Sequence, residues 1–222
     1  MLYVVATPIG NLEDITLRAL KILEAVDFIL CEDTRTSGNL LKHFNIKKEL
    51  VSFNSRMEEK KISAVISRIK SGETAAVISD AGTPAISDPG VRLVNAAHKN
   101  DIQVVGIPGA NAAILALSIA GLPTDSFIFE GFLPQKKGRK KKLTALAKEE
   151  RTIVFYESMY RIEKLLKELA EYMPERIVAI GRELTKKFEE LWRGCPSQIL
   201  ETFSEHQLKG EFVVVIAPPN WK

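Results

Sequence analysis

The feature that most constrains the fold is an alternation of strand and helix patterns in the first half of the chain. Five short apolar runs, rich in β-branched residues, are each followed by apolar residues at helical spacing. The runs lie at residues 3–7, 27–31, 49–53, 74–78 and 102–107. Strands that alternate with helices are typical of a parallel sheet, because parallel neighbours need a crossover connection. We therefore expect an α/β domain with a mostly parallel sheet over residues 1–118.

The second half of the chain has a different rhythm, which begins after a linker-like Gly-Leu-Pro-Thr segment at 121–124. Strand patterns outnumber helix patterns there, and some strands adjoin directly. Such a pattern is typical of a mixed sheet. The predicted fold class is α/β with two domains, 1–118 and 119–222. We expect a mostly parallel N-terminal sheet, a mixed C-terminal sheet and helices on the faces.

Loops that contain Gly and Pro follow three of the N-terminal strands, at 8–10, 81–84 and 106–109. Carboxyl ends of parallel strands share one edge, where open α/β sheets bind ligands. The loops lack the P-loop pattern and the GxGxxG fingerprint of dinucleotide sites. Such turns without clustered cations favour a polar ligand that is not polyanionic, although plain βα connections use the same residue types. In the longest connection, Asp88 and Pro89 suit the cap and first position of the next helix.

Charged side chains mark two further strand ends. Glu32, Asp33 and Arg35 follow the second strand, and Glu157 lies at the end of a strand in the second half. Paired acids beside an arginine suit a general base or a binding group, and they equally suit a salt-bridged helix entry. Glu157 suits either a ligand contact or an ordinary strand end.

A run of basic residues occupies the loop predicted between a strand and a helix of the second half. Six of the seven residues at 136–142 are basic, whereas the net charge of the chain is only +3. Many charge runs are simply solvated, but this one also suits contact with a nucleic-acid phosphate backbone. The candidate RNA-binding residues are Lys136, Lys137, Arg139, Lys140, Lys141 and Lys142.

Several function classes are disfavoured by composition. The two cysteines are far apart without a CxxC, and the three histidines are isolated, so neither a disulfide framework nor a metal site is expected. There is no apolar run of about eighteen residues, so we expect no membrane span. The N-terminus has no charged leader, and we expect a cytoplasmic protein.

Motifs along nearly the whole chain together resemble one known family. They lie at 6–15, 31–35, 79–90, 107–111, 121–125, 129–134, 155–158 and 181–186. The set resembles the class III S-adenosylmethionine methyltransferases of tetrapyrrole-methylase fold, and among these the bacterial enzymes that methylate a cytidine ribose 2′-oxygen of 16S rRNA. Where those proteins commonly have Pro-His, this chain has Met159-Tyr160. Where they commonly have a His-rich run, it has Phe53-Asn54-Ser55-Arg56-Met57.

The resemblance implies a cofactor, a partner and a set of contacts. The cofactor is S-adenosyl-L-methionine, bound between the two domains, and the substrate is 16S rRNA in the 30S subunit. A homodimer is also implied. By analogy, the cofactor-binding residues are Pro8, Gly82, Thr83, Ile86, Asn111, Ala112, Tyr156, Glu157 and Glu211.

The implied reaction is an in-line attack of the ribose oxygen on the sulfonium methyl group, in which alignment supplies much of the rate. Glu32, Asp33 and Glu157 all remain open as the general base, and Arg35 is expected to hold the target phosphate. The basic run would position the RNA without reading its sequence. Two alternatives stay open: the same chemistry on a corrin or porphyrin precursor, and an RNA-binding module without activity. A hydrolase or kinase is disfavoured, because the GxSxG and P-loop motifs are absent.

Overall fold

The computed structural model describes residues 1–54, 58–203 and 209–221. They form two compact units, Met1–Asn111 and Ala112–Lys222. The predicted domains at 1–118 and 119–222 stay a prediction, because compactness does not show which part folds independently. The family departure at residues 55–57 lies outside the described residues.

The first unit is built on a five-stranded sheet whose paired strands are all parallel, in the order β3-β2-β4-β1-β5. Its strands are β1 (Leu2–Val5), β2 (Phe28–Cys31), β3 (Glu49–Ser52), β4 (Ala75–Val77) and β5 (Val104–Ile107). Its helices are α1 (Leu17–Ala25), α2 (Thr34–His43), α3 (Glu58–Lys70) and α4 (Val91–Lys99). The predicted parallel α/β arrangement is confirmed.

Alternate residues of the central strands enter two separate cores, one on each face of this sheet. Phe28 and Leu30 of β2 pack with α3 and α4, whereas Ile29 and Cys31 pack with α1 and α2. This division follows the two-residue period of a strand. Since helices cover both faces, the carboxyl edge of the sheet is left to the loops.

Helix boundaries in the first unit differ from the sequence prediction in two places. The apolar spacing after Ser37 predicts a helix that starts there. Helix α2 begins instead at Thr34, because the Asp33 side chain caps it by accepting from the Arg35 amide at 2.8 Å. Asp88 and Pro89 do not start α4 as predicted. Gly90 takes the N-cap position at φ +130°, without a side-chain cap, so Asp88 lies in the loop before the helix.

The second unit contains a mixed sheet, as predicted, with five strands in the order β6-β7-β10-β8-β9. Among the described strands of this sheet, β6 and β7 pair in parallel and the other pairs are antiparallel. Its strands are β6 (Phe127–Phe132), β7 (Thr152–Ser158), β8 (Val178–Arg182), β9 (Glu190–Gly194) and β10 (Glu211–Ile216). Its helices are α5 (Ala112–Ile119), α6 (Arg139–Leu146), α7 (Ile162–Tyr172) and α8 (Pro196–Phe203).

Two helix predictions in this unit were wrong in part. The small, wholly apolar segment at 110–120 predicts a buried helix. In α5, however, Ile114 and Ile119 are exposed, and the buried residues are Ala113, Ala116 and Leu117. The basic run was expected in a loop, yet α6 begins within it, so residues 139–142 form its first turn. Across the described residues, no helix has both the length and the apolar surface that a membrane crossing requires.

Candidate functional site

The loops that follow β1 and β4 are joined by backbone hydrogen bonds at the carboxyl edge of the first sheet. The Thr7 amide donates to the Gly82 carbonyl at 2.9 Å, and the Gly82 amide donates back to the Thr7 carbonyl at 3.1 Å. The Thr7 hydroxyl, which is buried, donates to the Ser79 carbonyl at 3.0 Å. The two turns are therefore joined into one backbone surface around Thr7, Ser79 and Gly82, which we call the ledge.

The loop after β5 closes onto the same ledge. The Thr83 hydroxyl donates to the Ala110 carbonyl at 3.1 Å. At Gly109, an added Cβ would lie only 2.9 Å from the Cβ of Ala6, so a larger residue would force the loops apart. The prediction that three glycine-containing loops share one edge is confirmed by this geometry.

The predicted cofactor residues of the first unit lie on or next to this ledge. Pro8 is buried directly after Thr7, and Gly82 and Thr83 belong to the ledge itself. Ile86 is exposed three residues beyond Thr83, and its amide donates to the Thr83 carbonyl at 3.4 Å. Asn111 follows Ala110 at the last position of the unit, and Ala112 begins the next unit. Their contact with a cofactor stays a prediction.

Replacing Gly82 with Ala should weaken binding of S-adenosylmethionine, the cofactor that the resemblance implies, about tenfold. Gly82 adopts φ +80°, and an added Cβ would lie 3.2 Å from the Ile9 side chain, so the ledge must shift. Gly72→Ala is the matched control, because Gly72 has φ +107° but open space around its Cβ position. Calorimetric titration should show a loss of affinity in Gly82→Ala alone, and equal affinities would contradict this role of the ledge.

Carboxylates from the ends of β2 and β4 also meet at this edge. The Asp33 amide donates to Asp80 Oδ1 at 3.2 Å, which ties the two strand ends together. Arg35 Nη2 lies 2.7 Å from Asp33 Oδ2, and its hydrogen bonds lower the pKa of Asp33 to about 2. Asp33 is therefore a helix cap with its own counterion, which makes it a weak base. Arg35 is exposed at the same edge.

The pKa values of two neighbouring carboxyl groups, Glu32 and Asp88, are raised, in contrast to that of Asp33. Burial, together with the charges of Asp80 and Asp33, raises the pKa of Glu32. Burial and the charge of Glu32 raise the pKa of Asp88 to about 6, although a hydrogen bond with Ser79 opposes the shift. By sequence alone, Asp88 suits only the cap of the next helix. The sequence does show acidic residues after both β2 and β4. Had the pairing of these two strands been known, the acids could have been expected to lie close together.

Glu157, at the end of β7, is buried among ionic contacts. Its Oε1 lies 2.7 Å from Arg161 Nε and accepts from the Ser158 amide at 2.8 Å. Its Oε2 lies 3.6 Å from Arg139 Nη2. The side chain is fully buried in these contacts. These ionic contacts favour a structural role, and the assignments of Glu157 as a candidate base and as a cofactor contact stay predictions.

The two other predicted cofactor residues of the second unit have different surroundings. Tyr156 is half-buried, and its ring centroid lies 5.1 Å from that of Phe129 and 5.6 Å from that of Phe132. Glu211 is exposed at the start of β10, where its Oε2 lies 2.9 Å from Lys186 Nζ. Strand pairing sets Glu211 opposite Ser158. Both residues therefore lie toward the Ser158 end of β7.

The basic run divides into inward and outward residues. Arg139 is only 4% exposed, its Nε donates to Glu168 Oε2 at 2.8 Å, and its Nη1 donates to the Pro134 carbonyl at 3.1 Å. These contacts favour a structural role for this buried residue, and its assignment as an RNA contact stays a prediction. Lys142 is half-buried and lies 2.5 Å from Glu130. The exposed lysines of the run are Lys136, Lys137, Lys140 and Lys141.

Within the described ranges, His, Cys, Asp and Glu side chains form no group of three or more that could hold a metal ion. Cys31 and Cys195 are both free thiols.

Comparison with known proteins gives one consistent family. The model of the Tetrapyrrole (Corrin/Porphyrin) Methylases matches residues 1–199. A protein of Thermotoga maritima named ribosomal RNA small subunit methyltransferase I is 46% identical over 216 residues, which cover 97% of each chain. A protein of the same name from Escherichia coli O157:H7 is 45% identical over 219 residues, covering 97% of this chain and 77% of that one.

Solved structures share the fold at lower identity. Cobalt precorrin-4 methyltransferase aligns with a TM-score of 0.71 and 19% identity, covering 97% of this chain and 94% of that one. A Thermus thermophilus uroporphyrin-III C-methyltransferase, solved in complex with S-adenosyl homocysteine, aligns with a TM-score of 0.65 and 16% identity over 97% and 96% of the chains. At these identities the likeness supports the fold alone.

Proposed function

Since this chain belongs to the tetrapyrrole (corrin/porphyrin) methylase family, we propose that it transfers a methyl group from S-adenosylmethionine to RNA of the small ribosomal subunit. One observation carries the choice of substrate. The relatives that are nearly half identical over almost the whole chain are named as small-subunit ribosomal RNA methyltransferases. The corrin and porphyrin enzymes share only the fold, so the alternative acceptor has no support beyond it.

The ledge in the first unit fits the proposed cofactor. A sulfonium nucleoside is polar and cationic at sulfur, and it carries no phosphate that would call for clustered cations. Backbone turns built around Gly82 and Gly109 allow close approach of such a ligand. The neighbouring acids Glu32, Asp80 and Asp88 produce a negative potential that favours a cation. When bound, the cofactor supplies an already activated methyl group, and Pro8, Gly82, Thr83 and Asn111 would hold it.

We propose a ribose 2′-oxygen of cytidine in 16S rRNA as the acceptor, and Asp88 as the group that takes its proton. A neutral hydroxyl is a poor nucleophile, and a base is most effective when its pKa lies near the working pH. Asp88, with a pKa raised to about 6, meets that condition better than Asp33, whose pKa is held at about 2. Arg35, exposed at the same edge, suits a contact with the target phosphate.

The outward lysines of the basic run are proposed to bind the RNA backbone. Replacing Lys140 and Lys141 together with Ala should weaken RNA binding and reduce its salt dependence. Each lost phosphate contact to a single strand lowers the slope of log affinity against log salt by about 0.7, so the double variant should lose about 1.4. Fluorescence anisotropy over a salt series measures this slope. Lys21→Ala, an exposed lysine of α1, should behave as the wild type, and an unchanged slope in the double variant would exclude these contacts.

The finer setting of the reaction is also part of the proposal. We infer that the protein acts as a homodimer, on assembled 30S subunits, in the cytoplasm where those subunits are made. The support is the motif resemblance, together with relatives named for the small-subunit RNA. Light scattering of the purified chain tests the dimer, since a monomer at assay concentration would contradict it.

The proposed function is tested by comparing acceptors. The protein and methyl-labelled S-adenosylmethionine are incubated with one acceptor in each of three reactions. The acceptors are undermethylated 30S subunits, bare 16S rRNA and uroporphyrinogen. Label should enter the RNA of the 30S subunits and not the tetrapyrrole. Label in the tetrapyrrole alone would support the corrin-type alternative. RNA binding without label in any acceptor would support a module that lacks activity.

A further inference from the structure

An exposed aromatic ring lies beside the basic run. Phe132, the last residue of β6, is 55% exposed. One side of the ring is supported, because its centroid lies 5.6 Å from that of Tyr156 at an interplanar angle of 57°. Tyr156 is in turn packed edge-on against Phe129. An exposed Phe is common on protein surfaces, but here two packed rings fix its position.

Two contacts bring the lysines to the same place. Lys142 Nζ lies 2.5 Å from Glu130 Oε2, which ties the first turn of α6 to β6 two residues before Phe132. Arg139 donates to the Pro134 carbonyl at 3.1 Å, which holds the turn that follows Phe132. The exposed Lys136 and Lys137 lie between these anchors. The exposed Lys136 and Lys137 therefore follow the ring within a short segment that is tethered at Glu130 and Pro134.

We propose that Phe132 is a stacking platform for an unpaired base of the RNA substrate, with Lys136 and Lys137 on its phosphates. Single-stranded RNA is recognised by aromatic faces set in basic grooves, because every base offers a face to stack and every linkage offers a charge. The charge of the segment favours RNA over a second protein surface as the occupant. The inference deepens the proposed function, since it takes RNA as the partner.

The test is direct binding of a fluorescent, single-stranded, cytidine-containing oligonucleotide to the full chain over a salt series, without S-adenosylmethionine. Phe132→Leu should weaken binding about tenfold or more, because a stacked base is lost. Its salt slope should equal that of the wild type, because no phosphate contact is lost. Phe132→Trp should retain the affinity, and its fluorescence should be quenched when RNA binds. Phe188→Leu is the control, since Phe188 is exposed elsewhere at 64%.

Three results would overturn the inference. Wild-type affinity in Phe132→Leu would exclude stacking. A reduced salt slope in that variant would mean that the ring acts by placing the lysines. Conversion of a dimer to a monomer by Phe132→Leu, seen by light scattering, would mean that a second copy covers the ring. Equal melting temperatures of the variants confirm that each is folded. Because binding is measured without methyl transfer, a protein that binds as predicted but transfers no methyl group would contradict the proposed function and leave this inference standing.

Discussion

Replacing Asp88 with Asn should lower kcat for RNA methylation about a hundredfold while making the protein more stable. Asn keeps the size and the hydrogen-bonding capacity of Asp88, but it cannot take a proton from the ribose hydroxyl. General bases typically contribute between a hundredfold and ten-thousandfold. Single-turnover methylation at saturating S-adenosylmethionine measures the effect on the chemical step.

The pH dependence gives the same assignment a second test. Asp88 must be ionised to act, and its pKa is raised to about 6. The wild-type rate should therefore rise with pH through about 6 and then level off, and this limb should be absent from the residual rate of Asp88→Asn. Glu32→Gln should shift the limb to lower pH, because the charge of Glu32 contributes to the raised pKa. If Glu32→Gln abolished activity and Asp88→Asn did not, Glu32 would be the base.

The stability change follows from proton linkage. The folded state holds the Asp88 proton more tightly than the unfolded chain, because the folded pKa of about 6 exceeds the usual 3.8. The stability contribution of this group is therefore lost as pH rises from about 4 to about 6. Above pH 6 the folded protein must hold an ionised, half-buried carboxylate at position 88, which lowers its stability. A neutral Asn at this position does not have that unfavourable energy. Since Asp88 is only half-buried, we expect a gain of about 1 kcal/mol at pH 7.5, measured by urea unfolding. Asp101→Asn, an exposed acid of the same unit, should show neither the loss of rate nor the gain.

Replacing Arg139 with Met should destabilise the protein by about 3 kcal/mol. Its guanidinium is buried between Glu168 and Glu157, with Nη2 to Oε2 distances of 2.7 and 3.6 Å. Removing one partner of a buried ion pair leaves uncompensated charge in the interior, which typically costs about 3–5 kcal/mol. Urea unfolding followed by circular dichroism measures the loss. Lys140→Met, at the exposed neighbouring position, should stay within about 0.5 kcal/mol of the wild type.

A second substitution separates a structural role of Arg139 from an RNA contact. In the double variant Arg139→Met with Glu168→Gln, one orphaned charge is gone, so part of the lost stability should return. A direct contact between Arg139 and RNA predicts a different pattern. Arg139→Met would then unfold like the wild type, and the salt slope of RNA binding would fall by about 0.7. That pattern would support the assignment of Arg139 to the RNA-binding set.

Local pattern was sufficient to predict most of the fold. Strands and helices that pack against neighbouring layers must carry apolar residues at a fixed spacing. That spacing is visible in the sequence, so strands β1 to β5 and their parallel pairing could be predicted from it. Caps were harder to place, because several polar residues compete at each helix entry. Asp14 and Thr16 both suit the cap of α1 by sequence, and the Thr16 side chain is the one that accepts from the Ala19 amide. Helix α2 is capped by Asp33.

The site was harder to predict because its properties depend on residues far apart in sequence. Burial raises the pKa of Asp88, and the charge of Glu32 adds to the shift, although Glu32 is remote along the chain and close only after β2 and β4 pair. The burial of Arg139 needs Glu168 on another helix. In a linear reading, Arg139 belongs with five lysines in one positive run, and only packing shows that it faces inward.

The central claim is methyl transfer from S-adenosylmethionine to a ribose oxygen of small-subunit RNA, and the most direct test is to locate the transferred group. Undermethylated 30S subunits are labelled by the protein, and their RNA is digested to nucleosides and analysed by mass spectrometry. The account predicts that the label is found on the ribose of a cytidine, as 2′-O-methylcytidine. Label found only on a base, or no label in the RNA, would contradict it.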